Sequence, residues 1–298
     1  MEVSSQLPLH LRIVRQLLKR LNYDSSADHS YTAADPIDPV KLKAAEDALR
    51  QLPTPDEGGR DYLEKHIPRL ARTLALVPPP QSTSRVLELG CYMQITPLLN
   101  QLCGYREVRG AYYGPKGRVD HKVIGSFECD VDHFDAERDD FPYPENHFDL
   151  VIAGEIIEHM IFDPMHLVVE SRRVLREGGR ILVTTPNVAS LASVAKTLEG
   201  KDNPQIYPYY KHPSDEPEIG HMREYTAWEL GEAVKAAGFE IERLFTTCIQ
   251  EYAGHYPLLR LLEEHGYSTE NRGEQTWCIG IKKSALPINR YPPFIYNS

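Results

Sequence analysis

From residue 81 onward the apolar positions fall into short runs bounded by turn residues, with stretches of helical period between them. A short unbroken apolar run suits a strand buried on both faces, whereas apolar residues at i, i+3, i+4 and i+7 suit an amphipathic helix. The pattern predicts strands at 85–89, 107–113, 122–128, 148–152, 180–184, 239–246 and 276–282, with helices at 95–102, 155–175 and 227–237. This alternation is that of a parallel sheet with crossover helices. Arg176-Glu177-Gly178-Gly179 reads as the stop of the 155–175 helix, glycine supplying the left-handed residue there.

Upstream, the apolar spacing predicts helices at 9–21, 39–52 and 60–76, and Pro78-Pro79-Pro80 then punctuates the chain. The resulting division is an N-terminal helical extension (1–80), an α/β domain (81–283) and a C-terminal tail (284–298). Within the domain, 190–222 reads as a lid insertion and 248–275 as an insertion between the last two strands. The lid carries Tyr207, Tyr209, Tyr210, Lys211 and His212, which suit aromatic substrate contacts or a surface flap. The proline-rich tail is expected either docked or loose.

Composition narrows the function. Lys and Arg number 33 against 43 Asp and Glu, a formal charge of −10. This argues against a nucleic-acid partner, whose phosphates draw on cationic contacts, and favours a small-molecule substrate. No apolar run approaches the roughly 18 residues of a membrane span, and the first residues lack the build of a signal peptide. Five widely spaced cysteines with no C-x-x-C give no disulfide framework or thiolate zinc site, so a cytoplasmic location is expected.

The candidate chemistry follows the 148–152 run. On a helix, Glu155, Glu158 and His159 share one face at the carboxyl end of a strand, where open α/β sheets bind ligands. Such a group suits a divalent metal, or His159 as general base with a glutamate orienting it. Acids in a first helical turn also suit the helix dipole without any chemistry.

The segment from Asp135 to Asn187, with its FPY, FDLV, EH, DP, RVLREGG and TPN series, resembles the class I S-adenosylmethionine-dependent methyltransferases. The resemblance spans roughly 81–283. It implies a seven-stranded Rossmann-like sheet with helices on both faces and its last strand antiparallel. S-adenosylmethionine would lie above Gly90, near Glu88 and Glu155, with Asp135 and Ala136 at the adenine. Two motifs depart from the family. Its Gly-x-Gly-x-Gly turn is here Gly90-Cys91-Tyr92-Met93-Gln94, where Tyr92 or Gln94 would obstruct the ligand, and its ribose-binding acid is here Tyr112. His221-Met222-Arg223-Glu224-Tyr225-Thr226 is similar to a segment kept by a methyltransferase subgroup with a like departure in the first motif.

The E-x-x-E-H element, with His221 downstream, also resembles two metal-dependent groups: the ubiquinone-pathway O-methyltransferases and the small-RNA 2′-O-methyltransferases. That likeness implies Glu155, Glu158, His159 and His221 around Mg2+ or another divalent metal, with His159 and Glu158 catalytic. The activity expected is O-methylation of a small-molecule hydroxyl. The alternatives are a cofactor-free binding protein, suggested by the altered motifs, and an RNA 2′-O-methyltransferase, against which the charge counts.

Overall fold

A computed structural model describes residues 36–53, 57–81, 83–200, 220–248 and 256–297. The helix expected at 9–21 and the tyrosine-rich part of the lid lie outside the described residues.

Asp38 caps the first described helix, α1 (Pro39–Gln51), with Pro39 supplying a first-turn residue that needs no N–H partner. Helix α2 (Glu57–Leu76) follows, then β1 (Arg85–Leu89), α3 (Thr96–Gln101) and β2 (Glu107–Tyr112). Next come β3 (Val119–Ile124), β4 (Phe127–His133), β5 (Phe148–Gly154), a 3-10 turn (Ile157–His159) and α4 (Pro164–Val174). The chain continues through β6 (Leu175–Pro186), α5 (Leu191–Glu199), α6 (Ala227–Ala236), β7 (Phe239–Thr247), α7 (Tyr256–Glu264) and β8 (Gln275–Lys282).

Among the described residues these strands form one sheet in the order β3-β4-β2-β1-β5-β6-β8-β7. Its central pairs are parallel, β8 runs antiparallel to both neighbours, and β3 runs antiparallel to β4. The α/β class and the antiparallel last strand are as expected, but the sheet has eight strands where seven were predicted. The predicted strand at 122–128 straddles a turn: Gly125 is left-handed at φ 61°, and the chain folds there into the β3–β4 hairpin. An apolar run does not reveal where a strand doubles back.

Helices cover both faces. One apolar cluster joins Leu49, Leu63, Ile67 and Leu70 of α1 and α2 to Val86, Leu150, Leu182 and Ile279 of the sheet. The other joins Leu167, Val168, Leu230 and Val234 of α4 and α6 to Leu87, Val151, Ile181 and Val183. The N-terminal helices therefore share the sheet's core, and residue 80 marks no seam in the packing.

Two local expectations are corrected. The predicted 155–175 helix is a 3-10 turn and a shorter helix, because Glu155 is left-handed at φ 56° and the α-helix begins afresh at Asp163, its N-cap. Helix α4 ends at Val174, and Arg176-Glu177-Gly178-Gly179 belongs to β6, forming a bulge where the register shifts between Phe148 and Leu150. Gly178 is left-handed there, at φ 72°.

Candidate active site

The reacting end of the sheet is built from turns. Glu158 and His159 sit on the 3-10 turn after β5, and His221 arrives from the segment before α6. The two segments are joined through their backbones: Met222 and Arg223 N–H donate to the Glu158 carbonyl at 2.8 and 3.2 Å. As a result Glu158, His159 and His221 each offer a ligand atom within 4.8 Å of the others.

Hydrogen bonds set the orientation of each side chain. His159 Nδ1 lies 3.2 Å from the Gly220 carbonyl, an acceptor only, so Nδ1 carries the proton and Nε2 the lone pair. His221 Nδ1 lies 3.0 Å from Glu224 Oε1, the outer contact that fixes a ligating imidazole. The two rings meet edge to face at 4.9 Å. Glu158 is fully buried; Thr185 Oγ1 donates to its Oε2 at 2.9 Å, while Oε1 has no partner among the described residues. Burial, reinforced by the charge of Glu155, pushes the Glu158 carboxyl well above its ordinary range.

Glu155 stands apart from this trio. Its Oε1 accepts from Thr184 Oγ1 and from Gln275 Nε2, both at 2.7 Å. The structure thus brings together three of the four residues expected around a metal, and the helical face invoked to align them does not exist. The orphaned Oε1 of Glu158 and two imidazoles with fixed tautomers fit a divalent cation of intermediate hardness.

The expected cofactor side lies along the carboxyl ends of β1, β2 and β4. Gly90 is left-handed at φ 68°, and a Cβ there would meet Ile156 Cδ1 at 3.0 Å. Met93 is also left-handed, at φ 63°. Tyr92 does not plug the turn: it is 62% exposed and leans on Tyr112, ring centroids 5.2 Å apart and hydroxyls 3.3 Å apart. Glu88 is buried, with Oε2 unpartnered; burial pushes its carboxyl up to about 7, against a hydrogen bond from Thr96.

Past β4, Asp135 Oδ1 accepts from the Glu137 N–H at 2.9 Å, and Ala136 packs on the core. Glu137, the other adenine candidate, has a structural task instead, since its Oε1 accepts from the Phe162 and Asp163 N–H groups.

A family model described as a methyltransferase domain matches residues 60–244. The chain belongs to this family. Among curated methyltransferases, one from Mycolicibacterium smegmatis, named a probable S-adenosylmethionine-dependent methyltransferase, is 36% identical over 103 residues, 35% of this chain and 33% of that one. The 27-O-demethylrifamycin SV methyltransferase of Amycolatopsis mediterranei is 30% identical over 144 residues, 46% of this chain and 52% of that one. The matches thus span between a third and about half of these relatives. A solved S-adenosylmethionine-dependent methyltransferase from Archaeoglobus fulgidus aligns at 16% identity and TM-score 0.47, covering 75% of this chain and 94% of that one.

For this methyltransferase, sequence reasoning missed Gln275 and the Gly220 carbonyl. Gln275 reaches Glu155 from β8, the strand next to β6, and carries no local signal. Glu224 was visible in the quoted segment but unassigned. There Tyr225 is buried, and Thr226 caps α6 in a capping box with Glu229.

Proposed function

We propose that the chain transfers a methyl group from S-adenosylmethionine to a hydroxyl oxygen of a small molecule. The observation that carries this reading is the convergence of Glu158, His159 and His221, with Glu155 beside them, at the carboxyl ends of β5 and β6. S-adenosylmethionine supplies the electrophilic methyl, and a divalent metal at the trio lowers the pKa of an acceptor hydroxyl. The chain's own residues orient and hold protons. His159 Nε2 is the lone-pair nitrogen turned out by the Nδ1 contact, and it takes the hydroxyl proton where no metal does so. Gly90 and Met93 shape the turn under the cofactor, and Asp135 stands at the adenine end. The Amycolatopsis relative is by its name an O-methyltransferase, which supports oxygen as acceptor.

A cofactor-free binding role is the second reading, favoured by the Tyr92–Tyr112 contact where the family places its ribose acid. Calorimetric titration of S-adenosylmethionine and S-adenosylhomocysteine into metal-stripped protein, repeated with magnesium, manganese and zinc, separates the two. Micromolar nucleotide binding is expected. Folded protein that binds neither nucleotide sinks the methyltransferase activity and leaves the binding protein.

A further inference from the structure

We propose that the C-terminal segment 289–296 is a strap, and that its Arg290 and Tyr296 are positioning residues for the Glu158–His159–His221 cluster. The proposal rests on that cluster being the acceptor side of the site.

The need for a strap follows from where the cluster sits. Glu158 and His159 lie on a single 3-10 turn, and His221 on an irregular segment tied to β6 by one isolated bridge, Asn187 to Tyr225. Such segments have few ladder hydrogen bonds and open readily unless side chains hold them. The tail supplies those side chains to both.

On the turn side, the Arg290 guanidinium grips both carboxylate oxygens of Asp163, Nη1 reaching Oδ1 at 2.7 Å. The Tyr296 hydroxyl donates to Asp163 Oδ1 and accepts from the Met165 N–H at 3.2 Å. Asp163 is also the N-cap of α4, accepting from the His166 N–H, and its own N–H goes to Glu137. The backbone leaving His159 is therefore clamped between Glu137 and the tail. A bidentate, charge-assisted pair of this kind is stronger than a lone surface ion pair. Burial raises the Asp163 carboxyl, but the bonds from Arg290 and Tyr296 outweigh it and hold it below its ordinary range.

On the histidine side, the Phe294 carbonyl accepts from Arg223 Nη2 at 3.2 Å, and the Phe294 ring packs on Trp228 at 5.5 Å. Arg223 is the residue whose own N–H bonds the Glu158 carbonyl. Asn289 N–H donates to the Ala236 carbonyl at the far end of α6, anchoring the strap's other end. One short segment thus ties the turn bearing Glu158 and His159 to the segment bearing His221. A plain cover for the apolar face under Phe294, Ile295 and Tyr296 does not require the Asp163 and Arg223 contacts.

The test uses full-length, 15N-labelled protein carrying Arg290→Ala, Arg290→Lys or Tyr296→Phe, and reads the imidazole signals of His159 and His221. Signals are assigned with His159→Gln and His221→Gln, and His133, which sits with Asp120 at the other side of the sheet, is the internal control. Both cluster histidines are expected to shift and broaden in Arg290→Ala and Tyr296→Phe, with partial return in Arg290→Lys. His133 and S-adenosylhomocysteine affinity, by calorimetry, stay within twofold of the parent. Superimposable histidine signals in folded variants overturn the proposal, as does a parallel loss of nucleotide affinity or a moved His133. Should Arg290→Ala fail to fold, Tyr296→Phe, which removes one oxygen, decides by the same signals. Histidine signals that respond in a parent binding no manganese uphold the strap while the metal reading falls.

Discussion

Thr185 donates its hydroxyl to Glu158 Oε2 at 2.9 Å, with both residues fully buried. Thr185→Val keeps the shape but leaves a second carboxyl oxygen without that donor. The variant is expected to lose about 1–3 kcal/mol of stability in urea unfolding. Thr185→Ser, which keeps the donor, is expected to lose less, and equal losses would count against the hydrogen bond.

Metal uptake is expected to depend on pH. Burial first, and the charge of Glu155 second, hold the Glu158 proton above the ordinary carboxylate range. A cation must displace that proton, so affinity rises with pH. Manganese titrations are expected to give tighter binding at pH 8 than at pH 6. Glu224→Gln, which loosens the His221 ring, is expected to weaken binding roughly 10–100-fold. Affinity indifferent to both changes would mean the ion sits elsewhere.

Glu88 makes a second pH prediction. Its carboxyl is raised from 4.5 to about 7 by burial, so the folded chain keeps a proton that the unfolded chain has lost. The stability this group gives is fully present below pH 4.5 and is lost as pH rises to about 7. At about 1.4 kcal/mol per pH unit the loss comes to roughly 3 kcal/mol. Urea midpoints at pH 5 and pH 8 are expected to fall further for the parent than for Glu88→Gln. Parallel behaviour of the two proteins would show that Glu88 ionises as freely when folded as when unfolded.

Asp149 lies in the FDLV run but serves the fold. Its carboxylate accepts from Thr83 Oγ1 at 2.8 Å, from the Arg85 N–H at 3.1 Å and from the Arg176 guanidinium, joining β5 to β1 and to the β6 bulge. Asp149→Asn is expected to cost about 2–3 kcal/mol, less than for a fully buried pair because Arg176 stays in contact with water. S-adenosylhomocysteine affinity is expected to hold, since Asp149 is at the strand end away from the site. A changed affinity would show the strand's two ends to be coupled.

The strands at 85–89, 148–152 and 180–184 were legible because a strand buried on both faces must be apolar throughout, and only such runs occur there. The β3–β4 hairpin was not, since one apolar run crossed its turn at Gly125. The E-x-x-E-H element marked the right residues for the wrong geometric reason. Helical spacing brings i, i+3 and i+4 together, but the left-handed Glu155 breaks that helix, and a tight turn delivers Glu158 and His159 instead. His221 was visible as a residue type in a recognisable segment. Its approach to Glu158 depends on backbone bonds from Met222 and Arg223 that no local pattern encodes.

By itself, then, the sequence determined the α/β class, the antiparallel last strand, the methyltransferase resemblance and the residue types of the cluster. These follow from burial periodicity and from short contiguous motifs, which act over a few residues. The tertiary structure alone decided that Glu155 faces Thr184 and Gln275, that Glu137 braces a turn, and that Arg290 and Tyr296 reach Asp163. Those contacts join side chains 25 to 133 residues apart in the chain. Only the folded sheet brings such partners within hydrogen-bond reach.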